Sequence, residues 1–230
     1  MKKIIILFIA TLLSAAMPEH YYKIKSSKLQ KKEFFSILTP LIKQANDSIT
    51  KDRNEIKNIF KILQNTSKSD LSQELSTKLK TIAKKYKIKN IYDKKSLLTR
   101  INTIPTSLVL AQAAVESGWG KSRFIKLANN IFGHWTYSKS GLLPQKRTKG
   151  MKHRIRVFKT LQDSIAAYML NLNTHMAYFS FRATRLESIN NNKTFTGNKA
   201  SEKMEKYSAI GKKYVKMLKA IIRQNNLENY

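Results

Sequence analysis

A chain of 230 residues that is 42% hydrophobic and 10% aromatic excludes general disorder, and it can bury one sizeable core but not two full-size ones. With 44 Lys and Arg against 14 Asp and Glu, its formal charge of +30 sets up a field that draws in polyanions, whether nucleic acid, anionic lipid or acidic envelope polymer. The lack of cysteine excludes disulfides and lipid attachment at a lipoprotein cysteine.

Lys2 and Lys3 precede the apolar run Ile4 to Leu13, and Ser14-Ala15-Ala16 offers small residues at a signal-peptidase spacing. Residues 1–16 therefore read as a secretory signal cleaved after Ala16. The run is shorter than the roughly 20 residues of a spanning helix, so no stable membrane insertion is expected after cleavage. Export to the periplasm or cell envelope follows, and it removes nucleic acid as a partner.

From Lys28 to Leu63 the apolar residues Phe34, Leu38, Leu41, Ala45 and Ile49, then Ile56, Ile59, Phe60 and Leu63, recur at helical spacing. They predict one or two amphipathic helices, with Pro40 kinking or beginning one. The polar stretch Gln64 to Asp70 predicts a connection, and Leu71, Leu75, Leu79 and Ile82 another helix. Ser96 is positioned to cap a short helix through Leu97, Leu98 and Ile101, and Pro105 fits the first turn of the next. That helix, Thr106 to about Glu116, is apolar nearly all round and belongs in a core. Only Gln112 and Glu116 interrupt it, four residues apart on one face. Between Phe132 and Phe158 the helical period gives way to Gly133, Gly141, Pro144 and Gly150 and a partly alternating His153 to Phe158, which predicts a small β-lobe. Helices are expected again over Leu161 to Asn173 and Ser201 to Gln224.

From Leu97 onward only six acidic residues remain: Glu116, Asp163, Glu187, Glu202, Glu205 and Glu228. Glu202 and Glu205 suit the first turns of the last helix, where negative charge complements the dipole. Glu187 and Glu228 read as solvated. Asp163 follows Thr160 at capping-box spacing, with a catalytic role as the alternative. Glu116 ends a buried helix that Ser117-Gly118 terminates, and apolar surroundings and the negative end of a helix dipole both raise a carboxyl pKa. A raised carboxyl can donate a proton near neutral pH, the property a glycosidase requires of its general acid. A lone buried Glu bonded to Gln112 or to backbone is the structural alternative. Trp119 and Trp135, the only tryptophans, lie within twenty residues of Glu116 together with Phe132 and Tyr137. Such clustering suits a saccharide cleft as well as a small core.

Several segments carry a resemblance in conserved order along the chain: Ile104 to Leu108, Ala111-Gln112-Ala113-Ala114-Val115-Glu116-Ser117-Gly118-Trp119-Gly120, and Asn129-Asn130-Ile131-Phe132-Gly133. Arg156-Val157-Phe158, Asp163-Ser164, Tyr168 to His175, Tyr178, Phe181-Arg182 and Tyr207-Ser208 continue it. On these the chain resembles the bacterial glucosaminidase family, and within it the Bax-like periplasmic proteins. The resemblance implies an α+β, mostly α, lysozyme-like catalytic domain with a small β-lobe over residues 91–230, preceded by a helical extension over 17–90. It implies an endo-β-N-acetylglucosaminidase that cleaves β-1,4 bonds of peptidoglycan glycan strands, with Glu116 as catalytic acid and Tyr207 as an active-site tyrosine. Phe132 and Tyr168 would lie beside the cleft. Independently of the resemblance, the polar stripe of the helix and the aromatic clustering make Gln112, Trp119 and Trp135 candidate substrate-binding residues.

One departure stands out. Between Ser117 and Gln162 there is no acidic residue but eleven Lys or Arg, so a two-carboxylate mechanism lacks an obvious partner. Asp163 positioning water, the substrate's acetamido group assisting with Tyr207, or an anhydro-sugar product from a lytic transglycosylase would each answer it. A basic, non-catalytic wall-binding protein is a further alternative. The lobe's cations suit the carboxylates of peptide stems or form a solvated face. His134 and His153 lack companions at metal-ligand spacing, and neither a metal nor a cofactor is expected.

Overall fold

In the computed structural model, which describes residues 17–144, 150 and 152–230, the long apolar period at the N-terminus becomes one 36-residue helix. This is α2 (Ser27–Ile62), preceded by the single turn α1 (Glu19–Lys23). The expected signal segment lies outside the described residues. Pro40 sits inside α2 without ending it. Ser26 accepts the Leu29 amide at the N-terminus of α2, satisfying one of the donors a helix start leaves free.

Next come α3 (Gln73–Lys85), α4 (Lys94–Arg100) and α5 (Thr106–Ser117). The cap of α4 differs from the expectation at Ser96: Asp93 accepts the Ser96 amide at 3.0 Å, so the helix starts earlier. Helix α5 is buried over nearly its whole circumference, as its composition requires. It is followed by α6 (Arg123–Ala128), too short to show a period, and by the two-residue antiparallel strands β1 (Trp135–Thr136) and β2 (Arg154–Ile155). The architecture is thus mostly α with a small β-lobe, the expected lysozyme-like α+β class. No helix among the described residues is long and apolar enough to cross a membrane.

Helices α7 (Leu161–Thr174) and α8 (Phe179–Asn190) follow. The sequence reading did not anticipate α8, because Arg182 and Arg185 interrupt its apolar pattern at positions that are buried. Arg185 donates to the carbonyls of Thr99, Asn102 and Thr103 and to Asn173 Oδ1. Together with Arg53, which donates to Leu98 and Ile101, it answers the free carbonyls and negative dipole end of α4. Burial with no carboxylate partner draws the Arg185 guanidinium down to about 9. Part of the positive charge is therefore interior scaffolding.

A single helix from Ser201 to Gln224 is not what forms. The chain makes α9 (Gly197–Ser201), a 3-10 turn at Glu205–Tyr207 and then α10 (Lys212–Gln224). Gly211, at φ 51°, takes a left-handed conformation that side-chain-bearing residues resist, and it separates turn from helix. Glu202 closes α9 and pairs with Lys219 at 2.8 Å. Glu228 is not simply solvated, since its carboxylate accepts bonds from Ser107 Oγ, Gly197 N, Asn198 N and Asn198 Nδ2 at 2.8–3.2 Å. It pins the start of α9 to the start of α5.

One hydrophobic cluster joins α2, α5, α7 and α10. Residues on both sides of position 90 contribute to it, and α2 packs against both α5 and α7.

Candidate active site

Helix α5 ends in a Schellman motif. Trp119 N donates to Ala114 O at 2.8 Å and Gly118 N to Val115 O at 3.4 Å, with Gly118 left-handed at φ 56°. Ser117 Oγ donates to Ala113 O at 2.6 Å and accepts Gly120 N at 2.8 Å, so the chain turns away directly after Glu116. This leaves the Glu116 carboxyl half-buried at the carbonyl end of the helix.

Its surroundings are phenols. Tyr214 OH donates to Glu116 Oε1 at 2.6 Å, Gln112 Nε2 donates to the Tyr214 oxygen at 3.0 Å, and Tyr168 OH donates to Gln112 Oε1. The direction of this chain is fixed by valence. A phenol carries one proton, and because the Tyr214 oxygen already accepts from the amide, its proton goes to Glu116. Oε1 of Glu116 is thereby held as an acceptor, and the proton of the neutral acid belongs on Oε2. Burial raises the Glu116 carboxyl above its ordinary value, and the Tyr214 bond draws it partly back. Burial likewise keeps Tyr168, Tyr207 and Tyr214 protonated well above the usual phenol range.

The rings interlock. Phe132 stacks on Tyr168 at 3.9 Å, Tyr207 meets Tyr168 edge-on at 6.2 Å, and Tyr207 lies nearly parallel to Tyr214 at 5.6 Å. Tyr178 closes the group, 6.1 Å from Tyr207. Phe132 is delivered by its asparagines. Asn129 Nδ2 donates to Phe158 O and Lys159 O, Asn130 Nδ2 to His134 O and Arg156 O, and Ile131 N donates to Ser164 Oγ. These bonds tie the lobe to α7.

Of the residues singled out in the sequence, Glu116, Gln112, Phe132, Tyr168 and Tyr207 converge. Gln112 and Tyr168 do so as support: both are fully buried, so they orient Tyr214 rather than offer themselves to a ligand. Trp119 leaves the group. Its own φ of 58° carries its ring to α2, edge-on to Phe34 and Phe35 at 5.8 and 5.6 Å with Lys31 Nζ 4.6 Å above it. There it braces the loop after Glu116, and Tyr21 OH bonds its carbonyl. Trp135 is 64% exposed on the lobe and stacks on His153 at 4.0 Å. Asp163 forms the capping box. Its Oδ2 accepts Thr160 N and Oγ1 at 3.1 and 2.9 Å, and its amide donates to Thr160 Oγ1 at 3.1 Å, so the carboxylate is engaged at the start of α7.

Tyr214 is not singled out in the sequence, and Tyr178 appears there only among the segments that carry the resemblance, without a role in the site. Tyr214 shares its spacing with the buried Leu218 and Ile222, so it reads as a core residue; the only hint was a hydroxyl on an apolar face. Among the described residues no cluster of three His, Cys, Asp or Glu side chains could hold a metal.

The glucosaminidase family model, described as mannosyl-glycoprotein endo-beta-N-acetylglucosaminidase, matches residues 94–227. The chain is similar to Protein bax of Escherichia coli (strain K12), at 32% identity over 217 residues that cover 92% of this chain and 75% of that protein. No solved structure matches it.

Proposed function

This chain belongs to the glucosaminidase family, and from that premise we propose that it cleaves β-1,4 glycosidic bonds of peptidoglycan after N-acetylglucosamine, with Glu116 as general acid. The observation that carries the reading is the Glu116 carboxyl itself: raised by burial, bonded at one oxygen by Tyr214, and rimmed by aromatic rings. Oε2 of the neutral acid gives its proton to the departing sugar oxygen as the C1–O bond breaks. The positive charge that develops at C1 is met by the acetamido oxygen of the substrate's own sugar, steadied by the Tyr207 hydroxyl. Water then opens the resulting ring, giving its proton to the Glu116 carboxylate and restoring the acid.

The engagement of Asp163 in its capping box supports substrate assistance over an Asp163-positioned water. The same observation favours one other reading, a lytic transglycosylase, whose products are lighter by one water and lack a reducing end. We further propose that the mature protein works in the periplasm or cell envelope after removal of residues 1–16, where its charge draws it to acidic wall polymers.

Digestion of purified sacculi tests the reading. Wild type is expected to release soluble muropeptides and Glu116→Gln none. Equal release by both would overturn it, and the product masses separate hydrolase from transglycosylase.

A further inference from the structure

A cavity of about 340 Å³ opens between the β-lobe and α7, lined by Lys87, His134, Trp135, Arg156, Leu170 and Asn171 among others. That size is enough for a ligand fragment, near the lower end of roughly 300–1,000 Å³ for small-molecule sites. It adjoins the acid site through one ring: His134 lies 6.4 Å from Phe132, whose other neighbour is Tyr168. Among the described residues no carboxylate lines the cavity. Among the described residues neither Lys87 nor Arg156 takes part in an ion pair, and the His134 ring makes no hydrogen bond.

Both cations grow from fixed backbone. Lys87 occupies the left-handed position after α3, at φ 56°, where Ile88 N donates to Ala83 O at 2.8 Å and glycine is the usual residue. Arg100 holds its carbonyl at 2.8 Å. Arg156 N donates to His134 O at 2.8 Å, its carbonyl accepts Asn130 Nδ2 at 2.8 Å, and its guanidinium lies 4.6 Å over Phe158. A guanidinium and an ammonium that line one cavity without an ion-pair partner are complementary to a carboxylate, which the planar guanidinium binds through two parallel bonds.

We propose that this cavity receives a carboxylate of the peptide stem borne by the glycan strand, so that the enzyme favours peptide-bearing over denuded strands. The proposal rests on the glycan-cleaving reading above and adds to it a basis for substrate choice. A carboxylate, rather than a phosphate, fits because the cavity adjoins the acid site through the His134–Phe132 contact, and a stem hangs from the sugar next to the bond being cut. The pH dependence follows from the same groups. Burial and the Arg156 charge hold His134 down to about 4, and only Lys87 and Arg156 face it as charged neighbours in the cavity. A bound carboxylate offsets that repulsion, so binding takes up a proton and tightens as pH falls toward the His134 value of about 4. His134→Gln flattens the rise.

The test has two arms. In the first, calorimetry on the full chain compares the free acid of an alanyl-isoglutamyl tripeptide, the same peptide fully amidated, and inorganic phosphate. Binding of the free acid alone, weakened at least tenfold in Lys87→Asn/Arg156→Gln and restored toward wild type in Arg156→Lys, is the expected result. Asn is used at position 87 because it tolerates the left-handed backbone. Equal binding of the amidated peptide, no loss in the double variant, or phosphate binding without peptide binding would each overturn the proposal. In the second arm, sacculi are digested before and after an amidase strips their stems. The ratio of rates on the two substrates should fall about tenfold in the double variant; an unchanged ratio contradicts the proposal. A wild type that binds the free acid but cuts neither substrate would remove the glycosidase reading and leave the carboxylate site standing.

Discussion

The two ends of α5 each meet a glutamate and treat it in opposite ways. At the N-terminal end Glu228 takes hydrogen bonds from Ser107, Gly197 and Asn198, which lock it in place. At the C-terminal end Glu116 takes one among the described residues, from Tyr214, and burial there disfavours its charge. The same side chain is a structural clamp in one place and the proposed proton donor in the other. The number of donors and the helix end decide which.

Exchanging the two carboxylates for amides should break this contrast most visibly. Glu116→Gln is expected to lower glycan cleavage by about a thousandfold, within the range for loss of a general acid, with melting temperature held or raised. Glu228→Gln should leave cleavage nearly intact but cost about 1–2 kcal/mol, some 2–8 °C in a chain of this size, read by thermal unfolding. If Glu228→Gln lost activity without losing stability, the contrast would fail.

Tyr214→Phe sharpens the comparison from the other side. It removes the hydrogen bond that favours the ionised form of Glu116 and leaves the Gln112 amide without its Tyr214 partner. Cleavage is expected to fall about tenfold at its optimum. Activity requires the protonated acid and declines as pH rises through its raised pKa, so the alkaline limb of the pH–rate profile should move to higher pH in the variant. An unmoved limb would remove Tyr214 from the mechanism. The smallest effect belongs to Asp163→Asn, which weakens the capping box by about 1 kcal/mol and should change cleavage less than twofold; a hundredfold loss would return Asp163 to the chemistry.

Much of the site was legible because its signals are local. The apolar run Thr106 to Glu116 ending at Ser117-Gly118 specifies a buried helix with a carboxyl at its carbonyl end, and that is how α5 folds. What was not legible arrives from far along the chain. Tyr214 reaches Glu116 across 98 residues because the chain breaks at Gly211, whereas the sequence read a continuous helix through that point. Trp119 misleads for the converse reason: it is a close neighbour of Glu116 in sequence, but three consecutive left-handed residues, Gly118 to Gly120, swing its ring onto α2. Glu228 looked solvated because its donors belong to α5 and α9, which sequence proximity to the terminus does not reveal.

Carbon-13 NMR titration of the Glu116 side-chain carboxyl, in wild type and in Tyr214→Phe, reports directly on that proton. The midpoint should lie above the ordinary glutamate value in wild type and climb further in the variant. A wild-type midpoint at or below that ordinary value would contradict the assignment of Glu116 as an acid kept neutral for donation.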